Sequence, residues 1–435
     1  MSTPPRREPP RLETADRQQV RWEMLDLDAM LPDDHRARVI VAAVEGMDLS
    51  DFLGEVRARG SAPGRPALDP RVLLSLWLFA TSEGVGSARH LERLCVRDLP
   101  YRWICGGMTP NAHTLSDFRS MHGDKLDGLM SRLLASLMHK GLVKLRRVAQ
   151  DGMRLRAHAG TGKFHRKPKL DELLQHARAQ VASLKAELES DTSASVDREQ
   201  AAKMRAASER QKKIEAALNE MPKVARVHER TRAQRARNAA KKGKSFDDEG
   251  PRVSTTDPEA RVMKMGDGGF RPAYNIQYAT DTDTRVIVGV SITNVGSDRS
   301  EMVSMLEQIE QRTGVRPSEY LVDGGFANLE AITTMEQRGV CVYAPVTKRR
   351  HGESNPHERK RGDSDEVARW RARMATTSAQ EIYKQRGAVA ETINADQRRW
   401  RGMTQARVTG QTKVLAQARM GVLLHNVLRA HALGA

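Results

Sequence analysis

Two periodicities alternate along this 435-residue chain. From Trp22 to His139 apolar positions recur at helical spacing. Asp69-Pro70 supplies a cap and a first-turn proline ahead of the apolar run Val72–Phe79. Gly84 and Gly86 interrupt that helix, Ser87 can cap Ala88–Leu94, and Thr109-Pro110-Asn111 leads into His113–His122. Short helices joined by such turns suit a helix-turn-helix bundle, a common reader of duplex DNA. They suit a helical scaffold or a dimerisation domain equally well. A two-residue period takes over in Val143–Ala157, where Val143, Leu145, Ala149, Met153, Leu155 and Ala157 share one strand face. Leu170, Leu174, Ala177, Val181, Leu184 and Leu188 then follow in alternating steps of four and three, a coiled-coil seam that breaks at Ser190–Ser195. A second helix through Met204, Ala207, Gln211, Ile214, Leu218 and Met221 predicts an antiparallel hairpin with arms roughly 30–37 Å long. Residues 223–256 are basic and poor in apolar residues, the signature of a linker.

Beyond the linker, strands and helices alternate. Ala273–Ala279 and Arg285–Ile292 read as strands flanking the turn Asp281–Thr284. Helix Arg299–Arg312, capped near Ser297 or Asp298, strand Glu319–Val322, helix Asn328–Arg338 and strand Val340–Val346 follow. A charged loop Lys348–Asp365 precedes a helix through Trp370 and an amphipathic segment carrying Glu391. With the hairpin set aside, this is the order of a ribonuclease-H-like α/β fold: a mixed sheet with flanking helices. The expected organisation is a flexible basic arm (1–20), an all-α domain for DNA binding or dimerisation (21–140), the first part of the core (141–168), the helical-hairpin insertion (169–222), the basic linker (223–256) and the rest of the core (257–435).

Charge narrows the partners. The chain holds 72 Lys plus Arg against 55 Asp plus Glu, a net +17, with a pI near 10.0. Basic clusters dispersed along it favour a polyanion, nucleic acid first. Aromatic residues make up only 4%, which argues against a single-strand stacking platform. Cys95, Cys105 and Cys341 show no metal spacing and suit a reducing compartment as small core residues. The polar stretch Met1–Gln19 lacks the apolar segment of a signal peptide, and the apolar run Val72–Ala80 is too short to span a bilayer. A cytoplasmic protein is expected.

Three carboxylates stand where unpaired acids are costly. Asp151 lies on the apolar face of the Val143–Ala157 run. Asp323 closes the apolar stretch Tyr320–Val322 and precedes two glycines. Glu391 sits on an amphipathic segment with Arg398 seven residues on, almost eclipsed. A buried carboxylate demands a partner or a metal, and three of them suggest a divalent metal site. Each has a plainer reading as well: Asp323 as a strand end, Glu391 as a surface ion pair with Arg398. Asp281 and Asp283 fit Asx capping, Asp257 and Asp298 fit caps, and Asp267 in its glycine-rich loop is ambiguous. His425 and Asn426 fit packing.

At this point the chain resembles a family. Asp69–Leu74, Ser82–Gly84, Asp98–Pro110 and Thr114–Arg119 resemble the helical N-terminal domain of the DDE-type insertion-sequence transposases of bacteria. Asp151–Ala157 is similar to their first catalytic strand, Asp257–Met263, Gly268–Phe270 and Tyr274–Gln277 to the re-entry into the core, and Asp323–Phe326 to the second catalytic motif. Ile382–Arg386, Glu391, Asn394, Arg398, Gly402 and His425-Asn426 resemble the third. Relatives often carry Tyr-x2-Arg-x3-Glu-x6-Lys; here Tyr383-x2-Arg386 is followed by four residues before Glu391, and Arg398 stands in the place of the lysine.

The resemblance implies Asp151, Asp323 and Glu391 as catalytic ligands of two Mg²⁺ ions, with Mn²⁺ as a substitute. It implies hydrolysis at the ends of an element and joining of the freed 3′-hydroxyl to target DNA. Arg398 would hold a phosphate, and Tyr383 and Arg386 belong to the same signature. Arg349 and Arg350 in the charged loop, and Lys163 and Arg166 before the hairpin, are expected on the DNA backbone. A homodimer on double-stranded DNA, associated with the bacterial nucleoid, is the implied assembly. A DNA-binding repressor that has lost catalysis is the alternative, and a stand-alone nuclease a third reading.

Overall fold

The computed structural model describes residues 18, 24–56, 66–190, 198–241, 243, 245, 248, 250–347 and 355–435. Among the described residues eight helices come first: α1 (Leu27–Met30), α2 (Arg36–Glu45), α3 (Ser50–Leu53), α4 (Pro70–Ser82), α5 (Ala88–Arg97), α6 (Leu99–Cys105), α7 (Ala112–Met121) and α8 (Gly123–His139). Their starts follow the expected chemistry. Asp69 accepts from the Arg71 N–H at 2.8 Å, Ser87 from His90 at 3.3 Å and Asn111 from Thr114 at 2.9 Å, each satisfying a donor that the first helical turn leaves open. Helix α4 is buried almost all round, and Trp77 within it donates to the Leu115 carbonyl while Arg119 stacks over its ring.

The sheet is built on β1 (Arg147–Arg156), with the short pair β2 (Phe164–His165) and β3 (Val253–Ser254) lying apart from it. Strands β4 (Arg261–Lys264), β5 (Phe270–Asp281), β6 (Ile287–Thr293), β7 (Glu319–Leu321) and β8 (Cys341–Tyr343) complete it. Strand β5 is antiparallel to β1 on one side and to β4 and β6 on the other; β7 and β8 add parallel beyond β1. The order β6-β5-β1-β7-β8, three antiparallel strands followed by two parallel ones, is the ribonuclease-H-like arrangement the element order predicts. The turn after β5 is the expected Asx cap, with Asp281 accepting from the Thr284 N–H and hydroxyl.

The sheet's helices are α11 (Glu301–Thr313), α12 (Leu329–Gln337), α13 (Asp365–Met374), α14 (Thr377–Arg386), α15 (Thr392–Trp400) and α16 (Gln411–Ala432). Helix α16 ties the molecule together. Its Val414, Ala418, Leu423 and Val427 share one apolar core with Leu74 and Trp77 of α4, Leu126 of α8, and Met153, Leu155, Tyr274 and Ile276 of the sheet. His425 and Asn426 pack as expected: His425 bridges Asp396 and the Arg285 carbonyl, and Asn426 bonds both backbone groups of Ile287.

The insertion differs from its expected form. Helices α9 (Lys167–Ser190) and α10 (Arg198–Lys241) pack antiparallel, with Leu170 beside Met221 and Arg178 paired to Glu215. Helix α10, however, runs 44 residues straight through Pro222. Residues 223–241, expected as linker, are therefore helix. Low apolar content suggested a linker, but good helix formers (Ala, Arg, Lys and Gln) dominate 223–241, and they sustain the helix that the packed half nucleates.

Candidate active site

Strand register brings the first two acids together. Ala149 of β1 pairs in parallel with Leu321 of β7, and Asp151 and Asp323 each lie two residues further on. The two carboxylates thus emerge at one level from neighbouring strands about 4.8 Å apart, at the carboxyl end of a parallel pair, where open α/β sheets place their sites.

Asp151 is half-buried. One carboxylate oxygen accepts from the Gly152 N–H at 2.8 Å and the other from the Asn394 amide of α15 at 3.1 Å. Burial pushes the Asp151 carboxyl up to about 6, the Gly152 N–H opposes, and the charge of Asp323 adds to the rise. Asp323 folds back on its own loop: Oδ1 accepts from the Gly325 N–H at 2.7 Å, and a β-carbon at Gly325 would sit 2.9 Å from that oxygen. A glycine there lets the acid close its Asx turn.

Glu391 reaches the pair through an arginine. Arg386, at the end of α14, places one guanidinium nitrogen 3.8 Å from Asp151 Oδ2 and another 3.6 Å from Glu391 Oε1. The same guanidinium lies 5.9 Å from the Tyr383 ring centre. Burial raises the Tyr383 hydroxyl, with Arg386 working against it. Glu391 itself is 71% exposed, so it stands at the rim.

A π-helical turn, Gly387–Glu391, joins α14 to α15. Such a turn takes one residue more than an α-turn. It absorbs the fourth residue between Arg386 and Glu391, and the two side chains still meet. The Glu391–Arg398 near-eclipse expected from seven-residue spacing is replaced by the Arg386 pair, and Arg398 is exposed on α15.

Behind Asp151 lies a polar layer that periodicity alone did not single out. Gln150, Asn275 and Gln277 are completely buried on the opposite face of β1 and β5. Asp298, expected as a cap, instead accepts from Asn275 at 2.6 Å, from Gln277 at 2.7 Å and from Arg154 at 3.2 Å. Gln150 bridges Gln277 and the Tyr320 hydroxyl. The signal was in the strands: polar residues at every second position of segments whose other positions are apolar. Asp257 is likewise no cap; it is buried and accepts from the Tyr274 hydroxyl and the Gly410 N–H. Asp267 pairs with Arg271.

Among the described residues, no three His, Cys, Asp or Glu side chains are gathered as a metal cage. The donor set nevertheless fits a hard divalent cation: the carboxylate oxygens of Asp151 and Asp323 beside the buried Asn394 Oδ1, which has no hydrogen-bond partner among the described residues. The cation balancing Asp151 and Glu391 in this structure is the Arg386 guanidinium.

The other expected contact residues are dispersed. Lys163 and Arg166 are exposed at the root of the hairpin, and Arg349 and Arg350 lie outside the described residues. Residues 25–121 match a family model described as a transposase domain (DUF772), and residues 226–427 match a transposase DDE domain. The second match takes in Asp323 and Glu391, while Asp151 precedes it. No curated protein and no solved structure matches the chain.

Proposed function

Since this chain belongs to the DDE-type insertion-sequence transposases, we propose that it binds the ends of its element as double-stranded DNA, cleaves phosphodiesters there and joins the freed 3′-hydroxyl to a target. The observation that carries this reading is the shared level of Asp151 and Asp323 on adjacent parallel strands, with Glu391 tied to Asp151 through Arg386.

Asp151, Asp323 and Glu391 would hold the divalent ions, Mg²⁺ or Mn²⁺. When bound, such ions activate a nucleophile and stabilise a leaving oxygen, the two obstacles to cutting an anionic backbone. The rest falls to the protein. Asn394 and the Gly152 N–H fix the Asp151 carboxylate in one orientation. Arg386 neutralises Asp151 and Glu391 while no substrate is present, and its guanidinium is placed to turn onto a phosphate, where two parallel N–H donors match the oxygens. Tyr383 holds that guanidinium against its ring face. Arg398, exposed on the same helical segment, adds a second phosphate contact. A net charge of +17 supports a DNA partner, and two copies acting together would cut both ends. Among the described residues no helix is long and apolar enough to cross a membrane.

The test uses a supercoiled plasmid bearing the element ends, with Mg²⁺. Asp151→Asn, Asp323→Asn and Glu391→Gln are each expected to abolish nicking while end binding survives. Nicking by Asp151→Asn at the wild-type rate would overturn the assignment. End binding by a wild type that never nicks, with Mg²⁺ or Mn²⁺, would favour a repressor. Cutting of plasmids without the ends would favour a nuclease.

A further inference from the structure

Helix α10 has two unlike sides. Ala207, Ile214, Ala217 and Met221 are buried against the rest of the insertion. Further along that side, His228, Arg232 and Arg235 converge on Asp248, at 3.1, 2.9 and 3.9 Å. At 100° per residue, Arg226, Arg230, Arg237 and Lys241 fall within a sector of about 60° on the opposite side, with Lys223 at its edge. All five are exposed. Lys223 is paired with Glu220; the other four have no carboxylate within ion-pair reach among the described residues. Glu229, the one acid between 223 and 241, lies on the flank of the stripe and faces Arg232.

A solvated charged helix face normally interleaves both signs. Here like charges stand at i, i+4 twice (226/230 and 237/241), an arrangement that weakens an isolated helix by a few tenths of a kcal/mol per pair. From Arg226 to Lys241 the stripe extends about 22 Å along the axis, about two-thirds of one turn of a duplex, roughly 34 Å.

We infer that this outer face of α10, from Arg226 to Lys241, is a rail for the phosphate backbone of duplex DNA. Helix α10 contains no Phe, Tyr or Trp, so it offers no stacking platform for single strands. Phosphate contacts made by arginine and lysine carry no sequence information, so such a rail holds element ends and unrelated duplex alike. The inference rests on the reading of the chain as a transposase acting on DNA. It adds a contact surface on the insertion, remote in sequence from the three acids.

The test measures binding of the full-length protein to a fluorescent duplex of about 40 bp between 50 and 200 mM salt, with an element-end and an unrelated sequence. Each phosphate contact contributes about 0.9 to the slope of log K against log salt. The variant R226Q/R230Q/R237Q/K241Q should lower that slope by about 3–4 on both duplexes, whereas R226K/R230K/R237K should retain it, because charge alone is read. A wild-type slope in the glutamine variant overturns the rail and leaves DNA binding standing; so does equal loss in the lysine variant, or loss confined to element ends. A wild type whose affinity ignores salt overturns the DNA reading itself.

Discussion

Gly152 follows Asp151 in β1, and its place leaves no room for a side chain. Adding one methyl group, Gly152→Ala, places a β-carbon 2.5 Å from Asp298 Oδ1, 2.6 Å from Gln277 Nε2 and 2.8 Å from Asn275 Oδ1. Ordinary van der Waals separation begins near 3.4 Å, so these neighbours must retreat by close to an ångström. They are not flexible ends: Asn275 and Gln277 are completely buried, and both are bound to Asp298. Overpacking of this kind costs about 1–3 kcal/mol. Stretching hydrogen bonds to a charged acceptor adds about 1–2 kcal/mol. Relief of glycine's entropy cost returns about 0.5–1 kcal/mol. The net expectation is a loss of about 1–4 kcal/mol in urea unfolding at constant m-value. Because Asp151 is the next residue, nicking should fall further than stability does. Asp298→Ala removes the nearest obstruction, at the expense of leaving Arg154, Asn275 and Gln277 without their acceptor. The double variant should therefore be less destabilised than the two single losses together, by about 1–2 kcal/mol. A Gly152→Ala protein within about 0.5 kcal/mol of wild type, or strict additivity in the cycle, would refute the polar layer as the reason for this glycine.

Other outcomes follow from buried charge and helix register. Asp396 accepts from Arg401 at 3.1 Å and pairs with His425, and although burial raises its pKa, these partners bring it below the ordinary carboxylate value. The stability it contributes is thus full above about pH 4 and is lost as pH falls through the folded value; Asp396→Asn should cost about 2–4 kcal/mol at neutral pH and flatten the acid limb of a stability–pH curve, and an unchanged limb would contradict the pairing. Arg312, almost fully buried, is held by Asp127 at 2.7 Å and the Val288 carbonyl; Asp127→Ala strands that charge and should lower stability by about 3–5 kcal/mol in thermal melts. Deleting Ala388 should convert the π-turn to an α-turn and leave Glu391 beside Arg386, keeping nicking within about tenfold; loss of activity equal to that of Glu391→Gln would show that the π-turn does more than absorb a residue.

Local rules make much of this protein legible in its sequence. The caps at Asp69, Ser87 and Asn111, the strand around Asp151, the Asx turn at Asp281 and the antiparallel hairpin all rest on interactions within a few residues or on period alone. The order of elements was enough to give the sheet, because a mixed sheet of this order has few permitted connections. Asp151 and Asp323 stood out for a related reason, each interrupting an apolar run of its own segment, whereas Glu391 lies exposed at the rim.

What the sequence could not determine was partnership across distance. That Arg386 lies between Asp151 and Glu391 and that Asp298 closes a polar layer under β1 both depend on groups brought together from distant parts of the chain; the helix at 223–241, by contrast, was within reach of local propensity. Periodicity assigns a residue to a face and an element; only the register of β1 against β7 and the packing of α14 to α16 decide which charges meet, because electrostatic pairing depends on separations of a few ångströms that no local rule encodes.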